Sequence, residues 1–426
     1  MTTTRNIAVL FILGIFSTLS CGNNKKHQSL TPDYRVKLLD SLFISAVSNQ
    51  EIPGAVVYIS RNGKEVFHKA YGYRNLENKD LMQSDDIFRM ASMTKGLTAI
   101  AVLQLHERGL LFLDDEVSQY IPDFKNPKVL LNVLPDSGFT AIPASGEITI
   151  RQLLTHTSGL GYGFQNDRYN ALIIKNNISE GFEDDDRTSL ENIQRLSRLP
   201  LLFNPGERYT YGLSYDVLGV LIEIVSGLRF DQYIQKYILD PLDMADSYFI
   251  IPEKEQGRLV KVYQPAESGN GLELTTYPDT AYPIIKSRQF FSGGSDLCST
   301  AKDYGKFIQM VKNKGVFDGT RIIGERYVEM MLSKQTSLDE GNAEQGFTAW
   351  VSTASGAAEG PMSAGSFGFG GFWDTYGWAD IEGNFVAVLL LQMYPNNHYK
   401  IHEKFQAITY GVIDDLDTHD GKNQTY

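Results

Sequence analysis

Serine followed three residues later by lysine occurs twice, as Ser92-Met93-Thr94-Lys95 and as Ser299-Thr300-Ala301-Lys302. On a helix, side chains three apart share a face, so either pair could set an amine beside a hydroxyl. A lysine in the first turn sits at the positive end of the helix dipole, and burial adds a second penalty on the ammonium. An amine discouraged from holding its charge can take the hydroxyl proton, which activates a serine nucleophile without histidine. Ordinary residue usage gives about one or two such spacings by chance in a chain this long, so the surroundings must choose between them. Serine at a helix start is also a common N-cap. Ser299 is read that way, because a polar run follows it and Lys302 can reach solvent. Ser92 heads a segment that is apolar on most sides, with Leu97, Ile100, Ala101, Leu103 and Leu105. It is expected to be buried and is the better nucleophile candidate.

Signatures of other chemistries are missing. There is no G-x-S-x-G, no H-E-x-x-H and no P-loop. His402-Glu403 lacks a second histidine, and the glycines from Gly365 to Gly371 do not fit a dinucleotide fingerprint. No metal or organic cofactor is expected. The acidic run Glu183-Asp184-Asp185-Asp186 is read as a solvated loop in preference to a calcium site. His156, within Thr155-His156-Thr157-Ser158-Gly159, is read as a buried residue that fixes a turn through hydrogen bonds, not as a catalytic base.

The elements that must hold these residues can be read from periodicity. The 426 residues, 42% of them hydrophobic, suffice for a sizeable core. A charged fraction of 21% argues against disorder, and a net charge of −12 against a nucleic-acid partner. Thr31-Pro32 should open a helix that runs to about Asn49. Ala55 to Ile59 and Glu65 to Tyr71 read as strands joined by an Asn62-Gly63 hairpin turn. The helix after Ser92 should stop near Gly109, and further helices are expected over Phe203 to Gly227, Ser299 to Lys314 and His398 to Ile413. Phe347 to Val351, Asp374 to Ala379 and Phe385 to Met393 read as strands, with a turn at Glu382-Gly383. Sheet signals thus sit at both ends of the chain with helical material between them. This predicts an α/β fold (an α+β sandwich) with a sheet domain from residues 32–88 and 290–415, and a mostly helical domain from 89–289. Residues 416–426 read as a polar tail.

The first twenty residues differ in kind. Arg5 precedes an apolar run from Ile7 to Phe16, too short to span a bilayer, and Ser17-Thr18-Leu19-Ser20-Cys21 follows. Residues 1–20 read as a secretory signal. The segment resembles a bacterial lipoprotein signal, which implies a lipidated Cys21 and a tether over 21–31. Cys298 would then lack a partner and is expected to be buried without a disulfide. The expected location is the cell envelope, as a lipoprotein facing the periplasm or the exterior; the alternative is a secreted periplasmic protein.

Met90-Ala91-Ser92-Met93-Thr94-Lys95 resembles the first motif of the serine β-lactamase and penicillin-binding-protein superfamily, in its class C and carboxylesterase branch. The likeness extends through Leu113 to Pro122, Ile148 to Leu160, Pro205 to Tyr211 and Gly293 to Tyr304, in the family's order. It implies a β-lactamase/transpeptidase-like fold, with a central antiparallel sheet flanked by helices and a mostly helical insertion. Ser92 matches the nucleophile, Lys95 its base, and Tyr211 the tyrosine that shares the proton work. The asparagine usual after that tyrosine is absent from Tyr211-Gly212-Leu213, as in the esterase branch. Phe369-Gly370-Gly371 matches the third motif and is expected to bind substrate. The lysine usual there would help to hold a substrate carboxylate, and an aromatic cannot. The resemblance also implies an oxyanion hole made by the backbone N–H groups of Ser92 and Phe372. The expectation is a serine hydrolase, a carboxylesterase on small acyl esters, monomeric and without nucleic acid. Its partners would be an ester or amide substrate and, through the lipid anchor alone, a membrane. The alternatives are a β-lactamase or D-alanyl carboxypeptidase or aminopeptidase of the same fold, and a non-catalytic envelope binding protein.

Overall fold

Leu39, Phe43 and Ala46 place one apolar stripe on helix α1 (Pro32–Ser48), and all three are fully buried. The computed structural model describes residues 32–135, 138–182, 187–277, 282–284, 287–335, 343–396, 398 and 400–420. The signal segment with Cys21 and the acidic run 183–186 lie outside the described residues. Helix α1 leads into strands β1 (Gly54–Arg61) and β2 (Lys64–Asn75). Their turn has Asn62 at φ 52° and Gly63 at φ 73°, the left-handed pair that a two-residue hairpin turn demands.

These two strands join a short β3 (Asp80–Leu81) and five strands from the other end of the chain: β4 (Ala343–Gln345), β5 (Trp350–Ser352), β6 (Phe367–Gly371), β7 (Thr375–Asp380) and β8 (Phe385–Leu390). The eight form one antiparallel sheet in the order β4-β5-β6-β7-β8-β1-β2-β3. The seam between the halves is β1 against β8, with Val57 opposite Leu389 and Ile59 opposite Ala387. Every residue of β8 is buried, because helices cover both faces of the sheet. On one face α1 packs with α5 (Ile401–Asp420), where Arg35 donates to Gly411 O at 3.0 Å and Phe43 meets Phe405. On the other lies α4 (Ala301–Lys312), with Phe307 and Ile308 fully buried. Beyond it sit α2 (Thr94–Glu107) and α3 (Ser214–Ser226).

Several local readings shift. The helix expected from Phe203 begins only at Ser214, because Pro205-Gly206 turns the chain (Gly206 φ 84°) and Thr210 N–H donates to His156 O at 2.8 Å. The cap of α4 is Thr300, whose hydroxyl accepts from Asp303 N–H; Ser299 instead pairs its hydroxyl with that of Ser247. Helix α5 runs to Asp420, so five residues of the expected tail are helical. Cys298 is buried, and burial pushes its thiol up to about 12. Among the described residues no helix is long and apolar enough to cross a membrane.

Candidate active site

Helix α2 is buried around its whole girth from Thr94 to Leu105, so whatever its first turn carries is held rigidly. Gly96 lets it approach closely: a Cβ there would lie 3.0 Å from the Phe307 ring and 3.2 Å from that of Phe369. A single 3-10 turn, Ala91–Met93, precedes the helix, with Ala91 in the left-handed region at φ 46°. That backbone is costly for a residue with a Cβ and persists because Met90 and Thr94 anchor it on both sides. Met90 N–H donates to Leu297 O at 2.8 Å, and Thr94 Oγ1 donates to Ala91 O at 2.7 Å.

Ser92 is half-buried at the head of this turn. It caps no helix. Lys95 Nζ lies 3.1 Å from Ser92 Oγ, and the Tyr211 hydroxyl donates to the same oxygen at 2.5 Å. Lys95 is 1% exposed and has two further partners, Gly294 O at 2.8 Å and Tyr162 Oη at 3.3 Å. The carbonyl can only accept. With the amine unprotonated, its two N–H bonds can therefore go to Gly294 and Tyr162, leaving the lone pair for the Ser92 proton. Tyr162 carries no signal in the sequence. It follows the Thr155–Leu160 block by two residues, and no spacing rule marks it.

A buried carboxylate stands behind the lysine. Asp216, on α3, accepts from Ser292 Oγ, which in turn receives Gly294 N–H at 3.0 Å and Ser295 Oγ at 2.9 Å. The same loop is braced by the buried pair Arg288–Asp296. Burial pushes the Asp216 carboxyl up to about 6, against the opposing pull of Ser292 and the Lys95 charge. A carboxyl raised from 3.8 in this way makes the fold most stable below its unfolded value; that stability is lost as the pH rises through 6. Ionised Asp216 should therefore cost about 3 kcal/mol at pH 8. We expect Asp216→Asn to gain stability over the parent at pH 8, to keep about half of that advantage at pH 5 and to lose most of it by pH 4. Urea unfolding at these pH values checks this, and an advantage independent of pH would contradict it.

His156 is buried, but its ring nitrogens have no hydrogen-bond partner among the described residues. The expected turn-fixing contacts come from its main chain, with N–H to Leu153 O at 3.2 Å and O from Thr210 N–H. Its ring packs against Tyr211 and Tyr215, at centroid distances of 4.7 and 5.1 Å. Burial, and then the Lys95 charge, hold its pKa well below 6.5, so the imidazole is neutral.

The Phe369-Gly370-Gly371 segment ends β6 beside the Ala91–Met93 turn. A Cβ on Gly371 would lie 2.3 Å from Met90 O and 2.2 Å from Thr375 Oγ1, so only glycine lets strand and turn touch. Gly370 has room instead, with Thr375 O at 3.9 Å the nearest atom a Cβ would meet. The two glycines, expected to serve one purpose, serve two: Gly371 seats the strand and Gly370 clears the cleft. Phe369 is 2% exposed, its ring set among Tyr304, Phe307 and Phe367, so it meets the cleft as part of the core. Phe372 opens the turn after β6. Its N–H and that of Ser92 donate to no described acceptor, which leaves both available to an oxyanion. A cavity of about 140 Å³ is lined by Ser92, Lys95, His156, Tyr209, Tyr211, Gln345, Thr348, Phe369 and Gly370. Lys95 is the one cation among these lining residues.

The family model described as Beta-lactamase matches residues 39–408. Esterase EstB of Burkholderia gladioli is 30% identical over 366 residues, 83% of this chain and 89% of its own length. Lovastatin esterase of Penicillium rubens is 32% identical over 284 residues, 65% of this chain and 69% of its own. The solved structure of EstCE1, described as a hydrolase with promiscuous acyltransferase activity, superposes with a TM-score of 0.76 at 23% identity. It covers 89% of this chain and 99% of that one, and shows the same fold.

Proposed function

The chain belongs to the Beta-lactamase family, and on that premise we propose that it is a carboxylesterase working through an acyl-enzyme at Ser92. The observation that carries this reading is the convergence of Lys95 Nζ and Tyr211 Oη on Ser92 Oγ. Lys95, with Tyr211, takes the Ser92 proton as Oγ bonds to the ester carbonyl carbon, and the carbonyl electron pair moves onto oxygen. That oxyanion rests on the N–H groups of Ser92 and Phe372. The pair returns as the carbon–alkoxide bond breaks, and the alcohol leaves with a proton from the Tyr211–Lys95 pair. Water then attacks the acyl carbon and passes its proton to the same pair; the carbon–Oγ bond breaks, Ser92 takes that proton back, and the acid leaves.

Esters are favoured over β-lactams and D-alanyl peptides because the rings around Phe369 are aromatic and, among the described lining residues, the cavity offers no cation besides Lys95 to meet a substrate carboxylate. A charge-assisted hydrogen bond contributes about 1.5 to 3 kcal/mol, or roughly 10- to 100-fold. We expect kcat/KM on p-nitrophenyl butyrate to exceed that on a chromogenic cephalosporin by at least about tenfold. Faster cephalosporin turnover would reverse the substrate assignment. We further propose, from the sequence alone, that the protein is a monomer held at the cell envelope through a lipid on Cys21.

A further inference from the structure

Tyr211 borders two unlike spaces. One is the cavity of about 140 Å³ that it lines, well below the roughly 300 Å³ at which drug-sized ligand pockets begin. The other is an aromatic run that begins at Tyr162, whose ring lies 5.3 Å from that of Tyr211, and reaches solvent. Tyr162, in contact with Lys95, stacks on Phe164 at 4.9 Å between ring centroids. Phe164 lies 6.4 Å from Phe372, which stacks on Tyr394 at 4.1 Å. Phe182 and Trp373 back Phe372, and the side chain of Ala91, next to the nucleophile, packs into the same group. Phe164 is 60% and Tyr394 50% exposed. Large aromatic faces left to water beside a nucleophile mark a binding surface, not a core.

Tyr211 touches both spaces, so size assigns the two halves: the departing alkoxide takes its proton from Tyr211 within the small cavity that Tyr211 lines, and the larger acyl half extends over the aromatic run. We propose that Phe164, Phe372 and Tyr394 form a shelf for an aryl group on the acyl half of the ester, and that the alcohol half is small. This rests on the carboxylesterase reading and narrows its substrate class. Aryl groups stack on such a surface with gains beyond area burial, whereas a short alkyl chain covers little of it.

The test compares methyl 3-phenylpropanoate with methyl butanoate, whose carbonyl carbons carry the same CH₂ neighbour. In the parent protein kcat/KM should favour the aryl ester by about tenfold or more. In the Phe164→Ala/Tyr394→Ala variant that ratio should fall to within about twofold of one. Phe164→Ala alone gives the same readout, less completely, should the double variant not fold. Benzyl butanoate, with its ring on the alcohol half, should gain nothing over methyl butanoate. A parent ratio near one, a ratio that survives the variant, or an equal gain for the benzyl ester would overturn the shelf. If these arise while esters are hydrolysed and a fluorophosphonate labels Ser92, the esterase reading stands and the shelf alone fails. If no ester is turned over and Ser92 stays unlabelled, both fall.

Discussion

Ser92→Ala removes ester hydrolysis by about 10³-fold or more while leaving the fold intact. The size of the effect follows from the proposed role of the hydroxyl, which would supply the atom that becomes covalently bonded to substrate. The remaining groups can orient an ester but cannot form an acyl-enzyme. The small structural cost follows from its surroundings. Ser92 is half-buried, caps no helix, and its Oγ hydrogen-bonds, among the described residues, with Lys95 Nζ and Tyr211 Oη. Lys95 keeps Gly294 O and Tyr162 Oη in the variant. Intact-mass spectrometry after exposure to an activated ester should show one acyl adduct on the parent and none on the variant. Retained turnover, or an adduct elsewhere in the variant, would remove Ser92 from the reaction.

Lys95→Met should lower kcat by about 10³-fold, because a proton acceptor of this kind contributes roughly 10²- to 10⁴-fold and Tyr211 alone cannot replace it. Methionine fills much of the same space, so packing is largely preserved. The electrostatic consequence is the sharper one. Lys95 lowers the cost of ionising Asp216, and without that charge the carboxyl rises further above 6. Loss of that nearby charge makes ionised Asp216 costlier still, and the added cost disappears once the carboxyl takes a proton. The variant should therefore be markedly less stable than the parent at pH 8 and recover toward pH 5. Adding Asp216→Asn should restore stability at pH 8 without restoring activity, a separation that a purely steric defect would not give.

What could be read from the chain divides along a physical line. Local signals carried well. Asn62-Gly63 turns where its two positive φ angles allow it, and the spacing of Ser92 and Lys95 is realised because one helical turn spans three residues. The family resemblance supplied what locality could not, including the pairing of Tyr211 with a serine 119 positions away. Contacts that no periodicity encodes stayed hidden. Lys95 meets Gly294 across 199 positions, and Tyr162 reaches it from a loop. The inward turn of Phe369 depends on Gly96 and Phe307, in two helices distant in sequence. The late start of α3 depends on a hydrogen bond from Thr210 to His156, which hydrophobic spacing cannot register.

The seam between β1 and β8 has a consequence for how the protein is made. Strand β1 ends at Arg61, yet its partner begins at Phe385, so a ribosome delivers some three hundred intervening residues before the two can zip together. Until then the first hairpin has an open edge and an uncovered apolar face, a state prone to pairing with other chains. A premature stop anywhere ahead of β8 would leave that edge permanently bare. Such truncated products should aggregate or be degraded, however complete their helical half, and should not accumulate as folded fragments.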